Sequence, residues 1–483
     1  MTSNSRRVTL IQQNDIHAHL EPHWELFWNH GKPAYQHGGG IARTAALVKQ
    51  IRAETNGHCI LVDCGDAIHG TAPAMWTEGA AIVPVLNHLG VELMTPGNWE
   101  FGFGPRVLRE RVAEMNFPMI ACNVERADSG EHEFSPSHVR EIGGVRIGFV
   151  GITSPVVTRT MPKAFGAGLR FSNGLDSLPR CISKLRRQEQ AELIVLVSHM
   201  GLAQDIELVK QVQDIDVVLS GHTHDRLYAP LRFGKTLLVQ SGFDGSFIGR
   251  LDLDVQNQHV CDYTHRLIFL DESIAPDSEM QTLVQTQLAP HRERMDEVVG
   301  QTATALERMH VLEATMDNLI TDAYLDATGA DVAFSHGWRY GSPILPGNVT
   351  MADLWQMIPT NPPLSLVEMT GARIREQLEA NLEQVFAAQA LQQQGGYVIR
   401  VSGLQARVRV NNPKGARVQE LEIAGSPVRA DRVYRVAVAG GQDIKNVENK
   451  TDTGKRAIDV LCEYFQKHSP VRAELTHTKF VVT

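Results

Sequence analysis

A series of short β-branched runs in the first 270 residues constrains the fold of this chain more than any other feature. The runs end in Gly, Asn, Asp, Thr, Val or His, and amphipathic segments such as GIARTAALVKQIRAE and GLDSLPRCISKLRRQEQ lie between them. Short apolar runs with such ends are typical of strands buried on both faces, and the segments between them have helical periodicity. The pattern predicts a layered α/β fold with a buried sheet. The runs read VTLIQQND, CILVDCGD, ELMTPGN, PMIACNV, VRIGFVGIT, LIVLVSHMG, DVVLSGHTH and TLLVQSG.

The second half of the chain reads as a separate unit. The polar stretch 271–300 has the composition of a helical linker, and it is followed by the helical patterns TMDNLITDAYLDATG and TGARIREQLEANLEQVF and by strands near 397–439. A chain of 483 residues is long enough for two cores. We therefore predict a first domain at 1–272, a linker helix at 273–298 and a second domain at 299–483. A cleft between two such domains is a usual place for a ligand.

Composition and charge limit the partners. A formal net charge of −9 argues against a nucleic-acid surface, although bound cations could still attract a small anionic substrate. No stretch approaches the roughly 20 apolar residues of a membrane span. The six cysteines are scattered and include no CxxC pair, which favours buried thiols over a disulfide framework. We predict partners that include neither nucleic acid nor membrane.

The amino-terminal segment bears on location. MTSNSRRVTLIQQND passes directly into a strand pattern and lacks the apolar core of a secretory signal. The sequence as it stands therefore predicts a cytoplasmic protein. A periplasmic protein from which the signal has been removed would look the same.

Potential metal ligands stand at the ends of five of the runs. Imidazole and carboxylate groups are preferred ligands of Zn, Mn, Fe and Co, and an aspartate can bridge two cations about 3.5–4 Å apart. A single histidine at a strand end is more often a hydrogen-bonded core residue, and Gly-Asp or Gly-Asn pairs are commonly turns. The recurrence along one α/β chain nevertheless predicts two divalent metal ions, of unspecified identity. The candidate ligands are Asp15, His17, Asp66, Asn98, His199, His222 and His224.

The order Asp-x-His, Gly-Asp, Gly-Asn-x-Glu, His, Gly-His-x-His resembles the calcineurin-like metallophosphoesterase superfamily. The segments ITDAYLDATGADVAFSHGWRYG, LVEMTGARIREQLE and YVIRVSGL extend the resemblance to its two-domain 5′-nucleotidase branch. The resemblance implies a four-layer β-sandwich flanked by helices, followed by a smaller α/β substrate-binding domain. It also implies that one ion is held by Asp15, His17, Asp66 and His224, and the other by Asp66, Asn98, His199 and His222.

The implied activity is hydrolysis of a small phosphomonoester, such as a nucleotide, by a metal-bound hydroxide. By this resemblance Asn98, Trp99, His199 and Arg339 are candidate catalytic residues. Arg339, Tyr397 and His336 are candidate substrate-binding residues. A guanidinium suits a tetrahedral oxyanion because it can donate two parallel hydrogen bonds, although Arg339 could equally be a structural arginine.

The loop TPGNWEFGFG departs from the family pattern Gly-Asn-His-Glu-Phe-Asp, because Trp99 and Gly102 replace the histidine and aspartate that assist the departing group. Loss of a general acid costs about 10²–10⁴-fold for a poor leaving group and much less for an acidic one. His69, His336 or His19 could take over, or no such help is needed. Alternatively, Trp99 simply packs beneath the loop.

The predicted base-binding residues also depart from the family. Tyr397 is one residue out of register, and Ile444 in AGGQDIKNV stands where a second aromatic ring is expected. A stacked base is worth about 1–3 kcal/mol, so nucleotide preference is weakened.

Both departures resemble the thiosulfohydrolases of the sulfur-oxidation pathway, which share the tryptophan and a segment like SHGWRYG. Those enzymes generally have histidine where Asn98 stands and are exported. A thiosulfohydrolase acting on a sulfonate held by a carrier protein is therefore the second hypothesis. An inactive anion- or nucleotide-binding protein is the third.

Overall fold

The computed structural model describes residues 5–440, 450–477 and 479–482. The chain forms two compact units, one of Met1–His23 with Gln36–Pro290 and one of Trp24–Tyr35 with His291–Thr483. The segment Trp24–Tyr35 is the central part of a β-hairpin, and no sequence pattern assigned it to the second unit. The boundaries predicted at residues 272 and 299 stay a prediction.

The strands up to residue 270 include most of the predicted runs. Their bounds are β1 Arg6–Gln13, β2 Pro22–Asn29, β3 Lys32–Gly39, β4 Cys59–Asp63, β5 Leu93–Met94, β6 Val124–Arg126, β7 Ser137–Ile142, β8 Val145–Thr153, β9 Leu169–Phe171, β10 Leu193–His199, β11 Val217–Ser220, β12 Leu231–Phe233, β13 Thr236–Gln240, β14 Phe247–Gln256 and β15 His259–Phe269.

The α-helices of this region follow the amphipathic segments. Their bounds are α1 Ile41–Glu54, α2 Ala72–Trp76, α3 Val83–Leu89, α4 Gly104–Glu114, α5 Val156–Arg159, α6 Ser177–Arg187, α7 Leu202–Gln211 and α8 Ser278–Leu288; a short 3₁₀ turn spans Trp99–Phe103.

Two mixed sheets pack face to face in the first unit. One has the order β15-β14-β1-β4-β5, and the other has the order β12-β13-β11-β10-β8-β7. Their inner faces share one apolar core, to which Leu10 and Val62 contribute from the first sheet and Phe149 and Val197 from the second. Helices complete the layers, so the predicted α/β sandwich is confirmed.

The topology explains why the candidate ligands converge. Strand β1 is parallel to β4, and β8, β10, β11 and β13 are mutually parallel. The carboxyl ends of parallel neighbours meet at the same edge of a sheet, so the loops that follow them lie together. These loops contain the Asp-x-His, Gly-Asp, His and His-x-His motifs.

The run PMIACNV, residues 118–124, does not form the predicted strand along its length. Its backbone N–H groups donate to three different segments: Ile120 to the Met94 carbonyl, Ala121 to Ser135 and Cys122 to Gly151. A ladder needs one neighbouring strand, so only isolated bridges form before β6. The apolar side chains after Pro118 are buried, which produced the strand-like pattern.

Helix α8 occupies part of the predicted linker interval. Asp277 caps its first turn by accepting a hydrogen bond from Met280 N, and its apolar stripe of Met280, Val284 and Leu288 is buried. The helix packs against α1 and α3 of the first unit. An amphipathic helix buries its apolar face against such neighbours, whatever its place between domains.

The second unit contains a central five-stranded sheet with the order β20-β17-β24-β19-β25. Side chains alternate across it: Ala333 faces a core shared with α10 and α13, whereas Val332 and Phe334 face a core shared with α12. The bounds are β16 Val298–Thr302, β17 Val332–Gly337, β18 Gly347–Thr350, β19 Pro363–Thr370, β20 Tyr397–Ser402, β21 Leu404–Val408, β22 Val418–Ile423, β23 Ser426–Pro427, β24 Val433–Ala439, β25 Thr451–Arg456, β26 Phe480–Val482, α9 Arg292–Met295, α10 Thr315–Thr328, α11 Met351–Met357, α12 Gly371–Phe386 and α13 Ala457–His468. Among the helices that the structure describes, none has the length and apolarity needed to cross a bilayer.

Candidate metal centre

Six of the seven predicted ligands form two clusters in the first unit. Within each cluster the potential ligand atoms all lie within 4.8 Å of one another. The clusters adjoin, since His199 Nε2 of one lies 3.8 Å from Asp15 Oδ1 of the other. The first cluster is Asp15, His17 and His224, and the second is Asp66, His199 and His222.

The first cluster is arranged around one carboxylate oxygen. Asp15 Oδ1 lies 3.3 Å from His224 Nε2 and 4.0 Å from His17 Nε2, and the two imidazole nitrogens are 3.2 Å apart. Ligands about 2.0–2.2 Å from a shared ion at a tetrahedral angle lie roughly 3.4 Å apart. The spacing is therefore that of side chains around a single cation.

The second cluster combines a carboxylate, imidazoles and an amide. Asp66 Oδ2 lies 3.2 Å from His199 Nε2. His199 Nδ1 donates to the Cys64 carbonyl at 2.6 Å, which directs Nε2 toward the carboxylates. Asn98 Nδ2 contacts Met161 Sδ at 3.7 Å, leaving its buried Oδ1 without a hydrogen-bond partner.

Three buried atoms test whether this set fits a cation. Asn98 Oδ1, Asp15 Oδ1 and His199 Nε2 are buried and make no well-aligned hydrogen bond, although Asp15 Oδ1 lies 3.3 Å from His224 Nε2 and His199 Nε2 lies 3.2 Å from Asp66 Oδ2. A buried polar atom without a partner is costly, and such atoms are rare in folded proteins. Because these are oxygen and nitrogen donors at metal-ligand spacing, the residues fit divalent cations.

Each aspartate has one oxygen held by the protein. Asp15 Oδ2 accepts hydrogen bonds from Asn14 Nδ2 and His222 N, both at 2.8 Å. Asp66 Oδ1 accepts one from Trp99 N at 2.7 Å. The other oxygen of each carboxylate is the one that faces the imidazoles, so the orientation of both groups is set before any ligand binds.

The ligand loops have unusual backbone geometry. Five ligands have left-handed φ angles: Asp15 51°, His17 45°, Asp66 57°, His222 74° and His224 64°. Such conformations cost about 1–3 kcal/mol each for residues other than glycine and persist only where the surroundings impose them. Their concentration here is typical of a functional site.

Glu100 joins two of the loops, a role that the sequence analysis missed. Its carboxylate accepts hydrogen bonds from Asp66 N at 2.8 Å, Ala67 N at 2.7 Å and Gly97 N at 2.6 Å. Burial and the Asp66 carboxylate raise the pKa of Glu100 to about 7, against the effect of the backbone donors. The Gly-Asn-x-Glu spacing carried this signal.

Two glycines allow those loops to approach each other. A Cβ atom on Gly65 would lie 2.3 Å from Gly97 N, and one on Gly97 would lie 2.1 Å from Asp66 Oδ1. Real Cβ atoms essentially never come so close, so the Gly-Asp and Gly-Asn pairs require glycine for reasons beyond an ordinary turn.

The buried carboxylates of the centre favour a positive charge beside them. Burial lowers the pKa of His199, but the Asp66 and Asp15 carboxylates outweigh it and raise that pKa to about 10. Burial lowers the pKa of His17 to about 4, which keeps this imidazole in the neutral form that a metal requires. A cation would satisfy the carboxylates in place of the proton on His199.

Trp99 lies next to this centre but is buried. Its ring stacks on His69 with a centroid distance of 4.3 Å and an interplanar angle of 15°. A Cβ atom on Gly102 would lie 3.0 Å from His69 Cδ2 and 3.4 Å from Trp99 Cε3. The His69–Trp99 stack therefore occupies the space that a larger residue 102 would need. Burial lowers the pKa of His69 to about 3.

The other predicted histidines differ in position: His19 lies on the ligand loop, two residues after His17, and His336 lies in the second unit. His19 Nε2 is 3.6 Å from Asp244 Oδ1, and the His19 ring is 4.8 Å from that of His23. His336 is in the second unit, where its ring lies 4.4 Å from Trp338 in an edge-to-face arrangement.

The second unit brings its predicted substrate residues into one neighbourhood. Strand β17 pairs with β20 so that Gly337 is opposite Tyr397, and Arg339 follows two residues later between the buried Trp338 and Tyr340. The Arg400 guanidinium lies 5.3 Å from the centroid of the Tyr397 ring. Ile444 lies outside the described residues.

A buried ion network supports this segment. Arg308 Nε donates to Asp317 Oδ1 at 2.9 Å, and Arg400 Nε lies 3.0 Å from Asp317 Oδ2. Arg308 also donates to the Tyr340 carbonyl at 3.0 Å, which anchors the chain beside Arg339. No short motif in the sequence indicated this network.

Two protein-family models match the chain: calcineurin-like phosphoesterase at residues 8–226 and 5′-nucleotidase, C-terminal domain, at residues 298–442. The 5′-nucleotidase of Bos taurus is 26% identical over 95% of this chain and 88% of its own length. The trifunctional nucleotide phosphoesterase protein YfkN of Bacillus subtilis is also 26% identical, over 93% of this chain. YfkN is longer, and this chain spans only 33% of its length.

Solved structures agree with both sides of the predicted resemblance. A sulfate thiohydrolase, SoxB, from Thermus thermophilus has a TM-score of 0.91 and 26% identity, with 98% of this chain and 96% of the other covered. A 5′-nucleotidase precursor from Thermus thermophilus has a TM-score of 0.86 and 25% identity, with 99% of both chains covered. The predicted family resemblance is confirmed.

Proposed function

This chain is a hydrolase of the calcineurin-like metallophosphoesterase family with a 5′-nucleotidase C-terminal domain, and from that premise we propose that it hydrolyses a small phosphomonoester at a dinuclear centre. The observation that supports the proposal is the pair of adjoining ligand clusters, with three buried oxygen and nitrogen atoms that make no well-aligned hydrogen bond. We assign the ions to Asp15, His17, Asp66, Asn98, His199, His222 and His224. We propose that each ion is Mn, Zn, Fe or Co.

Two bound cations lower the pKa of water and neutralise charge on the phosphoryl oxygens. The protein residues hold this arrangement in place. Asn14 and the His222 backbone orient Asp15, while Trp99 N and Glu100 orient the Asp66 loop. Groups oriented before substrate arrives need little reorganisation during the reaction, which is the main electrostatic advantage of an enzyme site.

We assign substrate contacts to the second unit. Arg339 would donate to the anionic group, and Tyr397 and His336 would contact the remainder of the substrate. A guanidinium is suited to this role because its paired N–H groups match two oxygens of a phosphate. The comparison with 5′-nucleotidases favours nucleotides, and this choice is testable separately from the metal centre.

A thiosulfohydrolase-like activity is the second candidate, and Trp99 favours it. The indole stacks on His69 and leaves no ionisable group at position 99 to protonate a departing oxygen. A thiolate or persulfide leaves without such help, whereas a nucleoside alkoxide is slowed by about 10²–10⁴-fold when a general acid is lost. In that case a carrier protein would present the substrate.

Substrate profiling after loading with defined metals tests both candidates. Nucleoside monophosphates, aryl phosphates and thiosulfonate conjugates would be compared at equal metal content. Turnover of phosphate esters supports the phosphoesterase, and turnover of thiosulfonates alone supports the second candidate. Binding of an aryl phosphate without hydrolysis by any metal form would leave only the inactive binding protein.

A further inference from the structure

The loop that contains two of the seven assigned ligands lies outside regular secondary structure. It follows β11, which ends at Ser220, and it carries His222 and His224. These two residues belong to different ligand clusters, so the shape of the loop sets the distance between the clusters. Both have left-handed φ angles, which the surrounding structure must impose.

The amide of Gln240 contacts both ends of this loop. Its Nε2 donates to the Gly221 carbonyl at 2.9 Å and to Ser220 Oγ at 2.8 Å. Its Oε1 accepts a hydrogen bond from Asp225 N, one residue beyond His224. The side chain is fully buried at the end of β13, and Gln240 belongs to neither ligand cluster.

Thr223 extends this support to the next element. Its hydroxyl lies 3.2 Å from both amide atoms of Gln240 and accepts a hydrogen bond from Leu202 N at 2.9 Å. Leu202 begins α7, three residues after His199. One buried amide thus contacts the start, the middle and the end of the loop that carries the two histidines. Through Thr223 it is also connected to the first residue of α7, which follows the strand that ends at His199.

We propose that Gln240 is a positioning residue that fixes the separation of His222 and His224 and thereby the spacing of the two cations. The inference rests on the proposed dinuclear centre for its consequence, but the ordering of the loop can be measured without metal. A planar amide suits the task because one rigid group both donates and accepts, at opposite ends of the loop.

Gln240→Met keeps the volume and removes both kinds of hydrogen bond. Thr236→Val is the matched control, because Thr236 begins the same strand and its buried hydroxyl donates to the Ile215 carbonyl at 2.7 Å, away from the loop. Thr223→Val is a milder second variant at a half-buried position, which keeps the test available if Gln240→Met folds poorly.

The first measurement is hydrogen exchange of the amides of residues 221–226 in metal-depleted full-length protein. Loss of a buried hydrogen-bonding group should accelerate exchange by about 10-fold or more in Gln240→Met and less in Thr223→Val, with Thr236→Val like the wild type. Unchanged exchange in Gln240→Met and Thr223→Val would overturn the proposal.

The second measurement is titration with Mn²⁺, read by electron paramagnetic resonance. Loss of an outer hydrogen-bond partner should weaken Mn²⁺ binding by about 10–100-fold and alter the coupling between the two ions. The control should retain both properties. A wild type without a coupled Mn²⁺ pair would contradict the dinuclear centre, and the exchange measurement would still decide the role of Gln240.

Discussion

The ligand edge of the first unit and the Arg339 segment of the second unit are stabilised in different ways. In the first, short loops point oxygen and nitrogen atoms into a space where several have no hydrogen-bond partner. In the second, the chain beside Arg339 is tied to Arg308, whose guanidinium is fully buried and paired with Asp317. The first arrangement is suited to holding cations, while the second holds two guanidiniums of the protein itself against one buried carboxylate. Ligand binding and scaffold stability should therefore respond separately to mutation.

Removal of Asp66, the carboxylate that we propose is shared by the two ions, should have the largest effect. Asp66→Ala should reduce the bound metal from two ions to one or none and lower phosphatase activity by roughly 10³-fold, since a bound cation supplies several kcal/mol of charge stabilisation. Elemental analysis after dialysis measures the first quantity. Asp205→Asn is the control, because Asp205 is a buried carboxyl that bonds Ser198 Oγ and is not assigned as a ligand. Two tightly held ions in Asp66→Ala would refute the bridging role.

A matched change in the second unit should act on stability and substrate binding only. Arg308→Met removes one partner of a buried ion pair, which should cost roughly 3–5 kcal/mol of unfolding free energy. The freed Tyr340 carbonyl should also loosen the Arg339 segment and raise KM. The surface pair of Arg407 with Glu420 offers a control, Arg407→Met, worth at most about 1 kcal/mol. Loss of metal from Arg308→Met would contradict the separation of the two regions.

The buried carboxyl of Asp205 should make the stability of the first unit depend on pH. Burial raises the pKa of this carboxyl from 3.8 to about 7, so the folded protein binds its proton more tightly than the unfolded chain does. Stability from this group is therefore present below about pH 4 and declines as pH rises toward 7. Asp205→Asn should flatten that part of the stability profile, measured by denaturant unfolding between pH 4 and 8. A profile with the wild-type slope would show that Asp205 ionises normally.

The smallest effect is expected from restoring the family's loop residues. Trp99→His with Gly102→Asp should change nucleotide hydrolysis by less than about 3-fold, because His69 occupies the space beside residue 102 and an overpacked site is strained. Adding His69→Ala should open that space and produce the larger gain. Initial rates with a nucleoside monophosphate measure the difference. A large gain from the double variant alone would show that the His69–Trp99 stack is not an obstacle.

Much of the fold and the ligand set followed from local patterns. Residues such as Asp15, His199 and His222 could be found because each stands at or just after the end of a buried strand, and parallel strands end at a common edge. The failure at PMIACNV has the same root: its apolar residues are buried, but its backbone groups bond to three segments rather than to one strand. A local sequence pattern indicates that a segment is buried, but it does not indicate which segment its backbone groups bond to.

The sequence by itself determined which residue types stand at the strand ends, because that depends on neighbours a few positions away. Only the tertiary structure decided which oxygen of Asp15 and Asp66 is held by protein donors, that Glu100 joins two loops, that Gln240 contacts both ends of the histidine loop, and that His69 fills the space beside Gly102. Most of these contacts link residues that are distant along the chain: His222 donates to Asp15 across 207 positions, and the Asp66 loop contacts Trp99 across 33 and Glu100 across 34. A hydrogen bond between such distant residues exists only after the chain has folded, so a local pattern does not identify the distant partner.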